Sequence, residues 1–211
     1  MMLFGPASAE LEPGARNAVE VCLGIRPDER VALIADEASG EVAASLAAAL
    51  DRVGAPWDGV VIEQVADRPL GGAPPAVLDA LEHADAGILC IQPRQGELGA
   101  RMEIVSLVER RGMRYAHMVG VTSQIMRQGM RADYKLVDEL SQRLCERMRT
   151  ARSLRVISQG GTSLTATFDS GLTWVKTSGL INRRYWSNLP AGEVFSSRSG
   201  VALRSPYFGP K

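Results

Sequence analysis

One acidic side chain is set where a divalent cation could reach it. Glu193 lies in NLPAGEVF (188–195), behind a turn containing Pro190 and Gly192 and ahead of a short apolar, β-prone pair. A carboxylate is a good ligand for a hard or borderline cation, and one held on a stiff turn loses little entropy when it coordinates. A single carboxylate is not a site: zinc centres use about three or four protein ligands, and two-metal hydrolytic centres share bridging carboxylates. On spacing alone Glu193 therefore reads as an exposed turn carboxylate.

The other reactive side chains are dispersed. His83, in LEHADAG, falls near a predicted helix C-terminus, where an imidazole is favoured by the helix dipole without further function, although it forms an H-x-D pair with Asp85. His117 falls at the carboxyl end of a predicted strand, the edge at which open α/β sheets bind ligands; a crevice role and a hydrogen-bonded core role both remain open. Two histidines on separate elements do not make a His-based metal site or a triad. Asp36-Glu37 follows the first predicted strand and reads as a solvated cap before it reads as a ligand pair. Arg143, Arg147, Arg149 and Arg152, interleaved with Glu139 and Glu146, read as the solvated face of a helix. Trp174, Tyr185 and Trp186 could flank a groove, with core packing the default. The chain contains no G-x-x-x-x-G-K-[ST], G-x-G-x-x-G or G-x-S-x-G, so nucleotide hydrolysis, dinucleotide binding and serine-hydrolase chemistry lack sequence support.

The elements that must position these groups alternate. A short apolar-periodic helix is predicted over Ala15 to Leu23, a buried strand over Val31 to Ala35, and an Ala- and Leu-rich helix from Glu41 to Val53 stopped by Gly54. Strands follow at Gly59 to Val65, Ala86 to Ile91 and Met113 to Met118, with helices from Pro74-Pro75 to about His83 and from Ala100 to Arg111. This order predicts an α/β fold, a Rossmann-like parallel sheet with flanking helices. Helices over Thr122 to Met130 and Tyr134 to Thr150 come next. Beyond Ser153 the period drops to two in LRVIS, TSLTATF and LTWVK, which predicts the start of a β-rich, antiparallel second domain. The expected division is a mobile lead over 1–14, the α/β domain over 15–150, first strands of a β-rich catalytic domain over 151–195, and a distinct tail over 196–211.

Three stretches resemble one family. NLPAGEVF (188–195), AHMVGVTSQIMRQGMRADY (116–134) and GTSLTATFD (161–169), with a looser match around VCLGIRPDERVALIAD, resemble the N-terminal portion of M29 metallo-aminopeptidases, the aminopeptidase T-like family. The resemblance implies that Glu193 is a metal ligand, that the cofactor is a divalent metal (Zn, Co or Mg), and that the activity is release of N-terminal residues from peptides. It equally admits a related mononuclear-iron dioxygenase of the 2,5-dihydroxypyridine type. In the family the remaining Glu, His and Asp ligands come later in a longer chain, whereas SSRSGVALRSPYFGPK (196–211) offers no histidine and no carboxylate side chain. The expectation is a truncated or frame-shifted product, or an N-terminal fragment, with an incomplete and inactive metal site. A non-catalytic α/β interaction domain is the alternative from another class.

Composition bounds the partners. Lys plus Arg equals Asp plus Glu, 24 each, so no long-range field gathers nucleic acid or an anionic membrane. Cys22, Cys90 and Cys145 have no C-x-x-C spacing and fit reduced thiols. No secretory or membrane-spanning pattern is present, and a cytoplasmic location is expected. Strands ending near Phe195 predict open sheet edges and hence a homo-oligomer or poor solubility.

Overall fold

The computed structural model describes residues 3–168, 172–181 and 186–198. The chain enters through α1 (Glu12–Arg16), with a proline in its first turn, and continues without a break into one π-helical stretch over Asn17–Cys22. Proline is favoured at this position because its missing N–H is one the helix cannot use. The helix thus begins ahead of the predicted Ala15. In the lead, for which mobility is expected, Leu11 is buried and the ring of Phe4 stacks on Trp57 at 6.0 Å.

Strand β1 (Val31–Ala35) is followed by a short 3-10 turn over Glu37–Ser39 and by α2 (Gly40–Val53). Gly54 ends α2 at φ 78°, a left-handed cap that glycine adopts at no steric cost. β2 (Trp57–Val61) starts two residues before the predicted Gly59, and its expected continuation, Ile62–Val65, is instead the single helical turn α3. That turn buries Ile62 and swings Glu63 toward the end of β1. Next come α4 (Pro75–Glu82), β3 (Ala86–Cys90), α5 (Leu98–Arg111) and β4 (Arg114–His117). Then α6 (Ser123–Arg127), capped by Thr122, leads through a 3-10 turn to α7 (Tyr134–Met148), capped by Asp133.

The principal sheet is parallel throughout, in the order β2-β1-β3-β4 and then β8 (Trp186–Asn188). This is the order of a doubly wound sheet, with the strand order reversing between β1 and β3. Strand alternation divides the core into two layers. Val31 and Leu33 face α1, α2 and α6 with Leu46, Leu50 and Met126, while Ala32 and Ile34 face α4 and α5 with Leu81 and Ile104. Each fully buried Leu or Ile contributes roughly 1.5–3 kcal/mol relative to exposure. Gly14 lets α1 lie directly on α6: a Cβ there would fall on the backbone oxygen of Met126.

β5 (Ser153–Ile157) and β6 (Ser163–Thr167) form an antiparallel hairpin, and β7 (Leu172–Thr177) pairs antiparallel with β9 (Glu193–Arg198). The small antiparallel sheets therefore follow the parallel one, as the change of period predicts. Within 151–195, however, β8 returns to the first sheet and lies parallel to β4, with Tyr115 opposite Trp186 and His117 opposite Asn188. Trp186 is 7 % exposed and its indole N–H donates to Glu109 on α5 at 3.1 Å. Burying so large a ring anchors a three-residue strand that period-two patterning does not reveal.

Candidate functional site

Ligands of open α/β sheets bind at the carboxyl ends of the strands, where strand order reverses. In this chain the reversal lies between β1 and β3, and the crevice is filled from within. Arg68, in the loop after α3, reaches into it with its side chain 1 % exposed. Its Nε and Nη2 donate to the two oxygens of Glu97 at 2.8 and 2.6 Å, and its Nη1 donates to Asp36 at 2.5 Å. Nη2 also donates to the Gln92 carbonyl at 2.7 Å, and Glu63 lies 3.4 Å from Nη1. Asp36 accepts further from the backbone N–H groups of Gln92 (2.7 Å) and Ser39 (2.9 Å), and Glu97 accepts from that of Leu70 (3.1 Å). The Asp36 and Glu97 side chains are both 0 % exposed. The hydrogen bonds from Arg68 hold the Glu97 carboxyl below its ordinary range, and the same bonds push the guanidinium up. Burial of such charges is tolerable only because they are paired and saturated with donors.

Asp36 is thus no solvated cap. It caps the 3-10 turn, as the sequence suggests, but from a fully buried position and as a partner of Arg68. Arg68, Glu97 and Gln92 were not singled out as site residues by sequence reasoning. The available signal was positional: Asp36 and Glu97 follow the ends of β1 and β3, adjacent strands whose loops must meet.

The second place on the carboxyl edge lies between β4 and β8. His117 is 9 % exposed, and its Nδ1 lies 2.9 Å from the Asn188 side-chain oxygen. The Trp186 ring meets it edge-on at 5.7 Å. Burial pushes the imidazole down to about 4, so it is neutral near pH 7. Of the two readings open for His117, the structure has the hydrogen-bonded core residue. His83 caps the end of α4, its Nδ1 2.9 Å from the Asp79 carbonyl, and is exposed. Cys22, Cys90 and Cys145 are buried thiols outside any disulfide, and burial pushes Cys22 and Cys90 up to about 12.

The NLPAGEVF turn departs from this edge. Asn188 is held by His117, and the Leu189 N–H donates to the His117 carbonyl at 3.2 Å. Leu189 is buried, Gly192 packs near Val137 of α7, and Glu193 opens β9 opposite Thr177 with its own side chain exposed. Trp174 meets Phe168 edge-on at 5.2 Å, apart from Trp186, and Tyr185 lies outside the described residues. Arg143, Arg147, Arg149 and Arg152 are exposed.

Among the described residues, no group of three or more His, Cys, Asp or Glu side chains could hold a metal ion. The residues described therefore do not by themselves fit a zinc or two-metal centre, since Glu193 stands apart from both His117 and the Asp36–Glu97 pair. Among them, too, no helix is long and apolar enough to cross a membrane.

Topology and edge geometry define the class: a doubly wound α/β layer followed by small antiparallel sheets. No family model matches the chain, and no curated protein matches it. A solved structure that does is wild-type AmpT from Thermus thermophilus, with 16 % identity, a TM-score of 0.50, and coverage of 90 % of this chain and 61 % of that one. The chain thus spans less than two thirds of that protein's length, and the likeness is one of fold.

Proposed function

We propose that this chain is the α/β part of a metal-dependent aminopeptidase of the aminopeptidase T type, in which Glu193 is one metal ligand. One observation carries the reading. The turn bearing Glu193 is clamped at its start to the carboxyl edge of the sheet by the 2.9 Å His117–Asn188 contact and at its end by β9, while the carboxylate is left in solvent. Elsewhere on that edge the buried carboxylates of Asp36 and Glu97 are engaged by Arg68 and by backbone N–H groups, whereas Glu193 is an exposed carboxylate at the end of a braced segment. Preorganisation of this kind lowers the entropic cost of coordination.

Two measurements test it. Mn²⁺ titrated into the ¹⁵N-labelled protein is expected to broaden amide signals around residue 193, and Glu193→Ala is expected to remove that broadening. Turnover of a leucine-linked chromogenic substrate with Co²⁺ or Zn²⁺, lost in the same variant, would establish the peptidase activity. Broadening centred elsewhere would sink the assignment of Glu193. A second reading, a non-catalytic α/β domain, is favoured by the absence of any metal-holding group among the described residues; no turnover together with no broadening at 193 supports it.

A further inference from the structure

A groove with a volume of about 450 Å³ runs between the first helix and the start of α7. That is within the range of small-molecule sites, about 300–1,000 Å³. One wall is a face of the continuous helix made by α1 and the π-helical stretch Asn17–Cys22, and it presents Pro13, Arg16, Glu20 and Val21. The other is the segment from Arg131 to Lys135, which leaves the 3-10 turn and enters α7. Asn17 ties the walls together, since its side-chain amide donates to the Met130 and Ala132 carbonyls, each at 2.8 Å. π-helical turns are uncommon and are found frequently at functional sites.

The contacts fix which end of the groove is which. Arg131 donates from Nη2 to the Glu10 carbonyl at 2.9 Å, so it stands at the Pro13 end. Tyr134 stands at the far end, near Cys22: a Cβ on Gly179 would fall 2.6 Å from its ring, and Ile181, two residues on, donates its N–H to the Cys22 carbonyl at 2.9 Å. Segment and helix therefore run side by side in the same direction. Arg16 and Arg131 mark the first part of the groove, and Glu20 and Lys135 the second. These charges are weakly compensated. Arg16 is 4.0 Å from Glu12, a carboxylate that also meets Arg52. Glu20 and Lys135 enter no ion pair among the described residues. Asp133, by contrast, is occupied by the Lys135 and Leu136 N–H groups, both at 3.1 Å. Between the charges lie Pro13, Ala132 and Val21, the last 37 % exposed.

Charges of both signs set apart along a partly apolar groove suit a ligand that carries both. From Arg16 to Glu20 is four residues, about 6 Å along a helix axis, and an extended dipeptide is about 7 Å long. We propose that the groove binds short unblocked peptides whose first residue is acidic: Arg16 and Arg131 hold the C-terminal carboxylate, Glu20 the N-terminal ammonium, and Lys135 the acidic side chain. A guanidinium matches the two oxygens of a carboxylate, and the ammonium suits Glu20 as a single donor centre. All four protein groups are exposed, so each pair is weak and the dissociation constant is on the order of millimolar. The inference goes beyond the reading of Glu193 as a metal ligand and does not depend on it, because none of these contacts involves a metal ion.

Chemical-shift titration of the ¹⁵N-labelled full chain with glutamyl-alanine, in EDTA so that no metal site contributes, tests it. Amides of 16–21 and 131–135 are expected to move and to saturate in the low millimolar range. Acetylating the amine, amidating the carboxylate, or replacing the first residue by glutamine is each expected to weaken binding about three- to fivefold, the weight of one exposed charge pair. The variants separate recognition from scaffold damage, because each is expected to cancel one preference alone. Glu20→Gln no longer distinguishes free from acetylated peptide, Arg16→Gln no longer distinguishes acid from amide as sharply, and Lys135→Gln no longer distinguishes glutamyl from glutaminyl. The absence of saturable shifts up to about 50 mM peptide overturns the proposal, as do shifts centred outside the groove, blocked peptides that bind as well as the free one, or acetate alone binding as tightly as the peptide.

Discussion

The crevice between β1 and β3 and the edge between β4 and β8 are built from similar residue types and put them to opposite use. In the first, Asp36 and Glu97 are sealed from water and held by a guanidinium and several N–H donors. In the second, Asn188 and a neutral His117 brace a turn whose one carboxylate faces solvent. A carboxylate sealed from water and already held by a guanidinium and backbone N–H groups is poorly disposed to take up a cation, however well placed it looks on a strand end. Accessibility and unspent hydrogen-bonding capacity, and not residue type, separate a candidate ligand from a structural ion pair.

The sharpest way to break this contrast is to remove the central cation. Arg68→Ala strands two buried carboxylates and is expected to lower unfolding stability by about 3–5 kcal/mol, read from urea midpoints. Arg68→Met combined with Asp36→Asn and Glu97→Gln should recover much of that loss. A loss under about 1 kcal/mol for Arg68→Ala would show the crevice to be wetter than described.

The pH dependence probes both places at once. His117 is held near 4 in the folded chain and titrates near 6.5 when unfolded, so the unfolded state binds the extra proton between those values and stability falls as pH drops from about 6.5 to about 4. The ceiling on that loss is on the order of 3 kcal/mol, and His117→Gln should flatten the profile there. Glu97 is depressed, so its contribution is present above its unfolded value near 4.5 and is lost only below it, as pH falls through the lower folded value. Denaturation midpoints measured at half-unit pH steps would resolve the two windows; an unchanged profile in His117→Gln would refute the assignment of the upper one.

A smaller effect is expected at the turn itself. Asn188→Ala leaves the His117 ring nitrogen unpaired in a buried place and should cost about 1–3 kcal/mol, whereas Glu193→Ala, at an exposed position, should stay within about 0.5 kcal/mol. If Glu193→Ala destabilises the chain as much as Asn188→Ala does, the exposed carboxylate is part of the scaffold and the contrast collapses.

Much of the fold was legible from pattern. The all-apolar run Val31–Ala35 and the Ala-rich helix stopped by Gly54 carry their structure in composition and period, and both stand where the sequence puts them. Less legible were α3, where a β-prone run bends into a helical turn, and β8, three residues that join a sheet whose other strands end near residue 117. The strand-end position of His117 was evident too, but not its partner Asn188, 71 residues away.

Sequence alone determined the alternation of strand and helix, the change to period two after residue 153, and the placing of Glu193 behind a Pro- and Gly-containing turn, because each follows from local backbone preference and side-chain spacing. Tertiary structure decided which carboxylates are spent. Asp36 and Glu97 meet Arg68 across separations of 32 and 29 residues, and the strength of that pairing depends on how much water the folded chain excludes, a quantity no run of neighbouring residues encodes.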